Sequence, residues 1–302
     1  MMKDLRNIIL GTDWWTDCDD TAALRMVCRY AKNDVWNLLG VVLNGAAPYA
    51  AASVTAVLNA EGFGDTPIGI DPEADDFGGQ PPYQPVLAKA FGTASIRNED
   101  MESGVSLYRR LLAGAPDGSV ELLEIGYLQV LAALLASDGD GYSPLDGTAL
   151  VRQKVLRIWC MGGNWKQNGC GRENNFCRND RARTAAAAVL AACPVPMCFL
   201  GYEIGEDVFA HPPQNPDDPI RIAFDAHGSS AGRCAWDPML IQLAAANDFA
   251  ALGYQPVFGF AAVDRATGEN RFSPEPAGPH CYVIRKNPPA WYEERIDQLL
   301  LS

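Results

Sequence analysis

The 302-residue chain lacks features that mark several large classes of protein. It has no long run of lysine and arginine, and its formal net charge of −13 argues against binding to a nucleic-acid polymer or to an anionic membrane. No apolar stretch approaches the roughly 20 residues that cross a bilayer, and the Ala-rich segment 184–193 is much too short. The apolar run from Ile8 to Leu10 is also too short for a signal peptide. An acidic protein of this kind suits a small neutral or cationic ligand, or a metal ion.

The cysteine pattern excludes two further classes. The nine cysteines form no Cys-x-x-Cys pair, and their number is odd. A zinc site built on paired cysteines and a framework of disulfides are therefore both disfavoured. The interpretation that remains is a reduced, cytoplasmic chain. Hydrophobic residues make up 48% of the sequence, so this chain can bury a large core.

Short apolar runs alternate with amphipathic segments along the whole chain. The predicted strands cover 7–11, 38–43, 67–70, 120–125, 155–161, 196–200 and 256–260. The predicted helices cover 20–30, 51–60, 101–112, 128–136, 181–193, 238–250 and 290–300. This alternation predicts an α/β fold with a mainly parallel open sheet and helices on both faces. We expect one domain over residues 1–302, with 71–82 and 211–230 as surface loops or lids.

Polar residues follow several of the predicted strands. Asp13 follows the first strand, Asn44 follows the second, and Gly126 and Gly162 follow two later ones. In open parallel sheets, ligands bind beyond the carboxyl ends of the strands. We therefore expect loops from distant parts of the chain to converge on one site at that edge.

Four carboxylates, Asp13, Asp17, Asp19 and Asp20, lie within eight residues between the first strand and the first helix. Packed together they would repel one another and raise each other's pKa, and a hard divalent cation resolves that conflict. Carboxylate oxygens suit calcium, which takes about six to eight oxygen ligands. The alternative is helix capping, because aspartate favours a helix N-terminus. Capping accounts for one or two of the four, but not for Asp13 at the end of a strand.

The stretch from Gly11 to Asp20, G-T-D-W-W-T-D-C-D-D, resembles the Asp-rich signature of the inosine–uridine preferring nucleoside hydrolase family in its longer form, D-T-D-x-G-x-D-x-D-D-A. Further family landmarks follow in the same order, up to Asp237. They are Leu43-Asn44, Asp65-Thr-Pro-Ile68, Ile125-Gly-Tyr-Leu-Gln-Val-Leu-Ala132, Met161-Gly-Gly, Glu173-Asn-Asn175 and Ala235-Trp-Asp-Pro238. The resemblance implies a nucleoside hydrolase-like fold and a calcium-dependent N-ribohydrolase.

The resemblance also implies a metal site and a base. Asp13, Asp20 and Asp237 would ligate calcium (Ca2+), together with the backbone carbonyl of Gln129. Asp13 would also be the general base that takes a proton from a calcium-bound water. Taken by itself, Asp237 ahead of a predicted helix could equally be an N-cap.

For the substrate, the resemblance implies that Asp19, Asn44, Glu173 and Asn175 bind the ribose hydroxyls. Vicinal diols suit carboxylate and amide partners. Negative charge around the sugar also stabilises an oxocarbenium-like transition state. These residues together would form the ribose end of the site.

At the aglycone end, Trp236 stands where some family members have a histidine that protonates the leaving base. An indole N–H is not an acid at usable pH, so we expect Trp236 to line the pocket and the proton to come from water or from His227. Glu203 either reaches this pocket or has a structural role. Further aromatic candidates for stacking on a base are Trp14, Trp15, Tyr127, Trp165 and Tyr202.

The chain departs from the family pattern at several positions. Gly11 replaces the first aspartate of the signature, and Trp14 and Trp15 replace its small x-Gly pair. Gln129 replaces a threonine, which a main-chain ligand tolerates. These changes leave the calcium and ribose end nearly whole and alter the aglycone end. No lysine or arginine lies in the aspartate cluster, so we expect phosphorylated nucleotides to be poor substrates.

The sequence thus predicts calcium-dependent hydrolysis of the N-glycosidic bond of a ribonucleoside or a related ribosyl compound, such as nicotinamide riboside. The alternative is a calcium-dependent sugar or nucleoside binding protein that lacks turnover, because Gly11 and Trp236 depart from the family. Either function has a small-molecule partner. The sequence leaves open whether the protein is a monomer or a homo-oligomer.

Overall fold

Strands and helices alternate along most of the chain in the computed structural model, which describes residues 5–166 and 168–301. The strands are β1 (Arg6–Thr12), β2 (Trp36–Leu43), β3 (Ile68–Ile70), β4 (Glu102–Ser103), β5 (Val120–Glu124), β6 (Val155–Met161), β7 (Met197–Leu200), β8 (Phe209–Ala210), β9 (Arg233–Cys234), β10 (Tyr254–Val263), β11 (Asn270–Pro274) and β12 (His280–Arg285). The helices are α1 (Asp19–Lys32), α2 (Ala50–Ala60), α3 (Gln84–Ala90), α4 (Gly104–Gly114), α5 (Gln129–Leu135), α6 (Gly147–Lys154), α7 (Asn174–Cys177), α8 (Asp180–Ala192), α9 (Tyr202–Gly205), α10 (Pro219–His227), α11 (Trp236–Ala246) and α12 (Pro289–Leu301).

Ten of these strands form one sheet, in the order β11-β10-β12-β7-β6-β5-β1-β2-β3-β4. Its pairs are parallel except where β10 runs antiparallel to β11 and β12. The predicted α/β class with a mainly parallel open sheet is therefore confirmed. The remaining strands, β8 and β9, pair as a separate antiparallel hairpin.

Alternate residues of β1 show how the sheet is covered on both faces. Ile8 and Leu10 pack into one apolar core with α1, α2 and α11. Ile9, between them, packs into a second core with α4, α5 and α8. All three side chains are fully buried. Because both faces of the strand are covered, its sequence is a continuous apolar run. Each such burial contributes about 1.5–3 kcal/mol to folding.

Strand order positions the site. The chain builds outward from β1 to β4 in one direction, then returns to the other side of β1 and continues through β5, β6 and β7. The order reverses between β1 and β5, which is where open α/β sheets bind ligands. Parallel register also aligns the strand ends, since Thr12 pairs with Leu43 and Gly11 pairs with Glu124.

The structure corrects the sequence prediction in several places. The segment 211–230 was expected to be a loop, but it contains α10. Asp218 caps this helix by accepting from the Ile220 N–H, and Gly228 ends it with a φ of +85°. Several further elements were not predicted from the sequence: β4, the β8–β9 hairpin, β11, β12 and the short helices. Segment 71–82 is a loop, as predicted. No described helix has the length and apolarity needed to cross a membrane.

Candidate active site

A cleft of about 300 Å³ opens beyond the carboxyl ends of β1, β5 and β6. It is lined by residues from loops that are far apart in sequence, as the order of the strands predicts. The lining side chains are Asp13, Trp15, Thr16, Asp17, Asp19, Asp20, Ile125, Tyr127, Met161, Glu173, Asn174, Asn175, Tyr202, Arg233, Trp236 and Asp237. Six of these are carboxylates and one is basic, so the cleft is strongly acidic.

Three buried carboxylates meet where α1 and α11 begin. Asp19 and Asp20 lie in the first turn of α1, and Asp237 lies in the first turn of α11. Their carboxylate oxygens lie within 4.8 Å of one another. The Asp237 backbone N–H also donates to Asp19 Oδ2 at 3.2 Å. We call Asp19, Asp20 and Asp237 the carboxylate trio.

Helix capping does not account for the trio. Asp20 accepts from the Thr12 hydroxyl and, at 3.3 Å, from the Trp14 N–H, so its contacts run back to the end of β1. Asp237 lies inside α11, because the N-cap is Ala235. The interpretation of Asp237 as an N-cap is therefore wrong.

The electrostatics of the cluster disfavour a set of bare negative charges. Burial, followed by repulsion from neighbouring carboxylates, raises the pKa of Asp19, Asp20 and Asp237 well above the ordinary value. Burial also raises the pKa of Asp13 to about 7. These groups must either hold protons or share a positive charge. Clustered carboxylate oxygens are the donors that a hard divalent cation prefers, so the residues present fit such an ion.

Asp13 sits at the end of β1 beside the trio, and it is 8% exposed. Its Oδ1 accepts from the Trp15 N–H at 3.0 Å, which fixes the carboxylate against its own loop. The intervening Trp14 has a φ of +48°, in the left-handed region that large side chains rarely adopt. This sharp turn lets the backbone pass from β1 into the cluster while Asp13 stays in the cleft.

Glu173 and Asn175 also line the cleft, at the beginning of α7. Glu173 accepts from the Asn175 N–H at 2.7 Å and from the Gly163 N–H at 3.1 Å, and burial raises its pKa to about 7. The Asn175 amide donates to the Met161 carbonyl at 3.1 Å. The loops after β6 and before α7 are thus locked together. Both side chains line the cleft where the sequence analysis expected a ribose.

Two of the expected site residues do not line the cleft. Asn44 is buried behind it, and its Oδ1 accepts from the Tyr127 N–H at 2.9 Å. The Gln129 amide donates to the Asn44 carbonyl, and this side chain borders a different recess beside Arg181. Asn44 therefore positions Tyr127, which does line the cleft. The proposed metal contact of the Gln129 carbonyl stays a prediction.

The aromatic candidates divide into two groups. Trp14 and Trp165 are buried in the core, where Trp14 Nε1 donates to Ser53 at 2.8 Å. Trp15, Tyr127 and Tyr202 line the cleft. The loop 71–82 backs this wall, because Phe77 stacks on Tyr127 with ring centroids 3.6 Å apart and packs against Trp15.

Trp236 and Tyr202 form an aromatic pair at one end of the cleft. Their rings stack with centroids 5.4 Å apart, and Trp236 Nε1 donates to the Tyr202 carbonyl at 2.8 Å. Arg233 lies over the Trp236 ring, and its Nε donates to Asp17 Oδ1 at 2.6 Å. Asp17 is thus paired with an arginine rather than grouped with the trio. The expectation that no basic residue accompanies the cluster is wrong.

Two other candidates lie outside the cleft lining. His227 Nδ1 is 2.8 Å from the Ser229 hydroxyl, and burial lowers the pKa of this histidine. Glu203 accepts from the Trp165 N–H at 3.1 Å, which is a structural role. The sequence offered no reason to single out Arg233, which lies in a two-residue strand.

Below the cleft, Glu124 fills the space beside Gly11. A Cβ placed on Gly11 would lie 2.8 Å from the Glu124 carboxyl carbon and 2.9 Å from the Tyr108 hydroxyl. Tyr108 donates to Glu124 at 2.5 Å, and burial raises the pKa of Glu124 to about 7. A carboxylate from the neighbouring strand thus fills the space that a side chain at position 11 would need. This contact was not predicted from the sequence.

No family model matches this sequence, and no curated protein matches it. Solved structures do. An inosine-guanosine nucleoside hydrolase superposes with a TM-score of 0.70 at 13% identity, over 98% of each chain. The inosine-uridine preferring nucleoside hydrolase from Bacillus anthracis superposes with a TM-score of 0.67 at 15% identity, over 98% of this chain and 99% of that one. The type III effector protein XopQ, complexed with adenosine diphosphate ribose, superposes with a TM-score of 0.67 at 16% identity. The match covers 98% of this chain and 93% of that one. This chain therefore has the nucleoside hydrolase fold.

Proposed function

We propose that this protein hydrolyses the N-glycosidic bond of a ribonucleoside or a related ribosyl compound. The observation that carries the proposal is the meeting of Asp13 with the carboxylate trio in a cleft, at the sheet edge where the order of the strands reverses. The nucleoside hydrolase fold of the chain supports it, since two of the structures above are nucleoside hydrolases by name.

Each part of the cleft has a role in this reaction. Glu173 and Asn175, with Asp19, hold the ribose through its hydroxyls and orient the anomeric carbon. Asp13, which lines the cleft at the end of β1, takes the proton from the attacking water. The surrounding carboxylates stabilise positive charge that develops on the sugar ring. The aromatic pair, Tyr202 and Trp236, borders the aglycone.

We also propose that Asp20 and Asp237, with Asp13, hold a divalent cation, and that this ion is calcium. Oxygen-only donors and repulsion among buried carboxylates support a hard cation. When bound, the ion would make water more acidic and anchor ribose hydroxyls. Asn44 would act through Tyr127, whose backbone it holds.

The experiment is an assay for free ribose with a panel that contains inosine, uridine and other ribosides. We expect calcium-dependent release of ribose from at least one of them. Asp13→Asn should abolish turnover, whereas Asp180→Asn, on the exposed first turn of α8, should keep the parental rate. Turnover near the parental rate in the Asp13 variant would remove Asp13 from the mechanism.

A second candidate is a ribosyl-binding protein without turnover. The XopQ structure favours keeping it, because an effector protein with this fold is complexed with adenosine diphosphate ribose. Calorimetry separates the two functions. Binding of a nucleoside without any release of ribose would support the second candidate and refute the first.

A further inference from the structure

Arg233 is the only lysine, arginine or histidine among the described side chains that line the cleft. Its side chain is 29% exposed, so it is reachable by a ligand. A single cation in an otherwise acidic cleft must face either the neighbouring carboxylates or an electron-rich group of the substrate. The contacts of the guanidinium show that it can do both.

The guanidinium is held from two sides. Its Nε and one terminal nitrogen donate to the two oxygens of Asp17, in a bidentate pair. Its Cζ lies 5.3 Å from the centroid of the Trp236 ring. The other terminal nitrogen, Nη1, makes no hydrogen bond to the part of the chain that the structure describes. Arg233 is therefore a fixed cation with one donor group left for a ligand.

The surroundings of Arg233 place it at the aglycone end. Trp236 and Tyr202 line the cleft beside it, and Asp237 of the trio follows Trp236 directly. A ribose held by Glu173 and Asn175 would have its aglycone near an aromatic surface and a positive charge. Trp236 supplies no acidic proton there, because an indole N–H is not an acid at usable pH and its Nε1 already donates to the Tyr202 carbonyl.

We propose that Arg233 binds the leaving aglycone and stabilises its negative charge, so that the site prefers ribosides whose leaving group departs as an anion. This inference rests on the proposed hydrolysis. The water oxygen bonds to the anomeric carbon and its proton passes to Asp13, while the C–N bond breaks with both electrons on the ring nitrogen. The guanidinium pairs with this heterocyclic anion until the anion takes a proton from solvent. Trp236 can then replace a histidine acid without loss of the reaction.

The proposal separates two classes of substrate. Purine and pyrimidine ribosides release an anion, which a guanidinium stabilises electrostatically in a site partly shielded from water. Pyridinium ribosides such as nicotinamide riboside are cationic at the aglycone and release a neutral ring. Arg233 gives these compounds no stabilisation in the transition state and repels them in the ground state.

The test compares Arg233→Met with Arg97→Met, in calcium-loaded full-length protein. Arg97 also makes a bidentate pair with an aspartate, Asp100, but on the exposed surface, so it is a matched control. The substrates are uridine and inosine, p-nitrophenyl β-ribofuranoside, whose leaving group needs little help, and nicotinamide riboside. We expect Arg233→Met to lower kcat/KM for uridine and inosine by about 10²–10³-fold. The nitrophenyl riboside should lose less than about 10-fold, and nicotinamide riboside should be unchanged or faster.

Two further variants keep the test decisive. Arg233→Lys retains the charge and should recover part of the activity on uridine. If Arg233→Met does not fold, the double variant Arg233→Met with Asp17→Asn removes both charges of the pair. Its kcat/KM is then compared among the same substrates. An equal loss on all three substrate types would show that Arg233 only clamps Asp17, and would overturn the inference while the proposed function stands. Absence of ribose release by the parent protein from every substrate would overturn both.

Discussion

The Glu124 carboxylate occupies the volume next to Gly11 that a side chain at position 11 would need. Gly11 on β1 and Glu124 on β5 are paired in the parallel register. The carboxylate beside position 11 therefore comes from the neighbouring strand and not from β1 itself. Tyr108 completes the arrangement with a hydrogen bond of 2.5 Å. The packing of Glu124 and Tyr108 therefore leaves room only for a glycine at position 11.

We expect Gly11→Ala to lower the free energy of unfolding by roughly 1–3 kcal/mol, because the new methyl group overlaps the Glu124 carboxyl group. Glu124→Ala should also destabilise, since it leaves the Tyr108 hydroxyl without its partner. The double variant should lose less free energy of unfolding than the two single variants lose together. We expect the difference to exceed about 0.5 kcal/mol in a double-mutant cycle measured by urea unfolding. Gly114→Ala is the control, because a Cβ at that position would have no neighbouring atom within 4 Å among the described residues. Strictly additive effects would show that the two positions do not share space.

Calcium should stabilise the protein more at pH 8 than at pH 5. The pKa of Asp13 is raised to about 7 in the folded state, and those of the trio are raised as well. Unfolded aspartates titrate near about 3.9, so the folded chain binds more protons between about pH 4 and 7. The stability that these protons contribute without the ion is thus fully present below about pH 4 and is lost as pH rises through about 7. A cation takes the place of those protons, and its effect grows over the same range.

Differential scanning calorimetry with calcium or with a chelator measures this difference in Tm. Glu124→Gln serves as the control, because burial also raises the pKa of Glu124 but its carboxylate is not one of the three in the trio. It should flatten the pH dependence of stability without changing the calcium shift. The same calcium shift at both pH values would contradict the proposed link between the carboxylates and the ion.

Trp236→Ala should lower kcat/KM on the best substrate by about 10–100-fold, through loss of one aromatic surface beside the base. Trp236→Phe keeps a ring and should retain much of the activity, although it loses the hydrogen bond to the Tyr202 carbonyl. Trp291→Phe is a matched control, since Trp291 packs on Tyr292 in α12, away from the cleft. Full activity of Trp236→Ala would make Trp236 part of the scaffold and not of the aglycone site.

Nucleoside 5′-monophosphates should be turned over more slowly than the parent nucleosides. Six carboxylates line the cleft, and its single basic residue among the described side chains is already paired with Asp17. A phosphate therefore meets net repulsion, although Arg233 weakens it. Adding salt should narrow the difference between inosine and its monophosphate, because salt screens exposed charges. Equal or faster turnover of the monophosphate at low salt would show that attraction by Arg233 outweighs repulsion by the carboxylates.

The α/β fold class and the aspartate cluster between β1 and α1 can be predicted from the sequence alone. Apolar runs such as Ile8 to Leu10 specify buried strands, because both faces of a parallel sheet need apolar side chains. Asp13, Asp19 and Asp20 are close in sequence, so their meeting follows from a single strand–helix turn. Glu173, Asn175 and Asp237 were found only through their likeness to a family pattern, and the cleft does bring them to the same place.

The remaining contacts depend on how the elements pack together. Arg233 pairs with Asp17 across 216 positions, and that contact depends on where the β8–β9 hairpin docks. Glu124 meets Gly11 because β5 lies beside β1, on the side opposite to β2. Asn44 turns away from the cleft because the Tyr127 N–H offers its side chain a buried partner. Composition and spacing describe each segment alone, whereas these contacts are set by the order of the strands and by which buried polar groups need a partner.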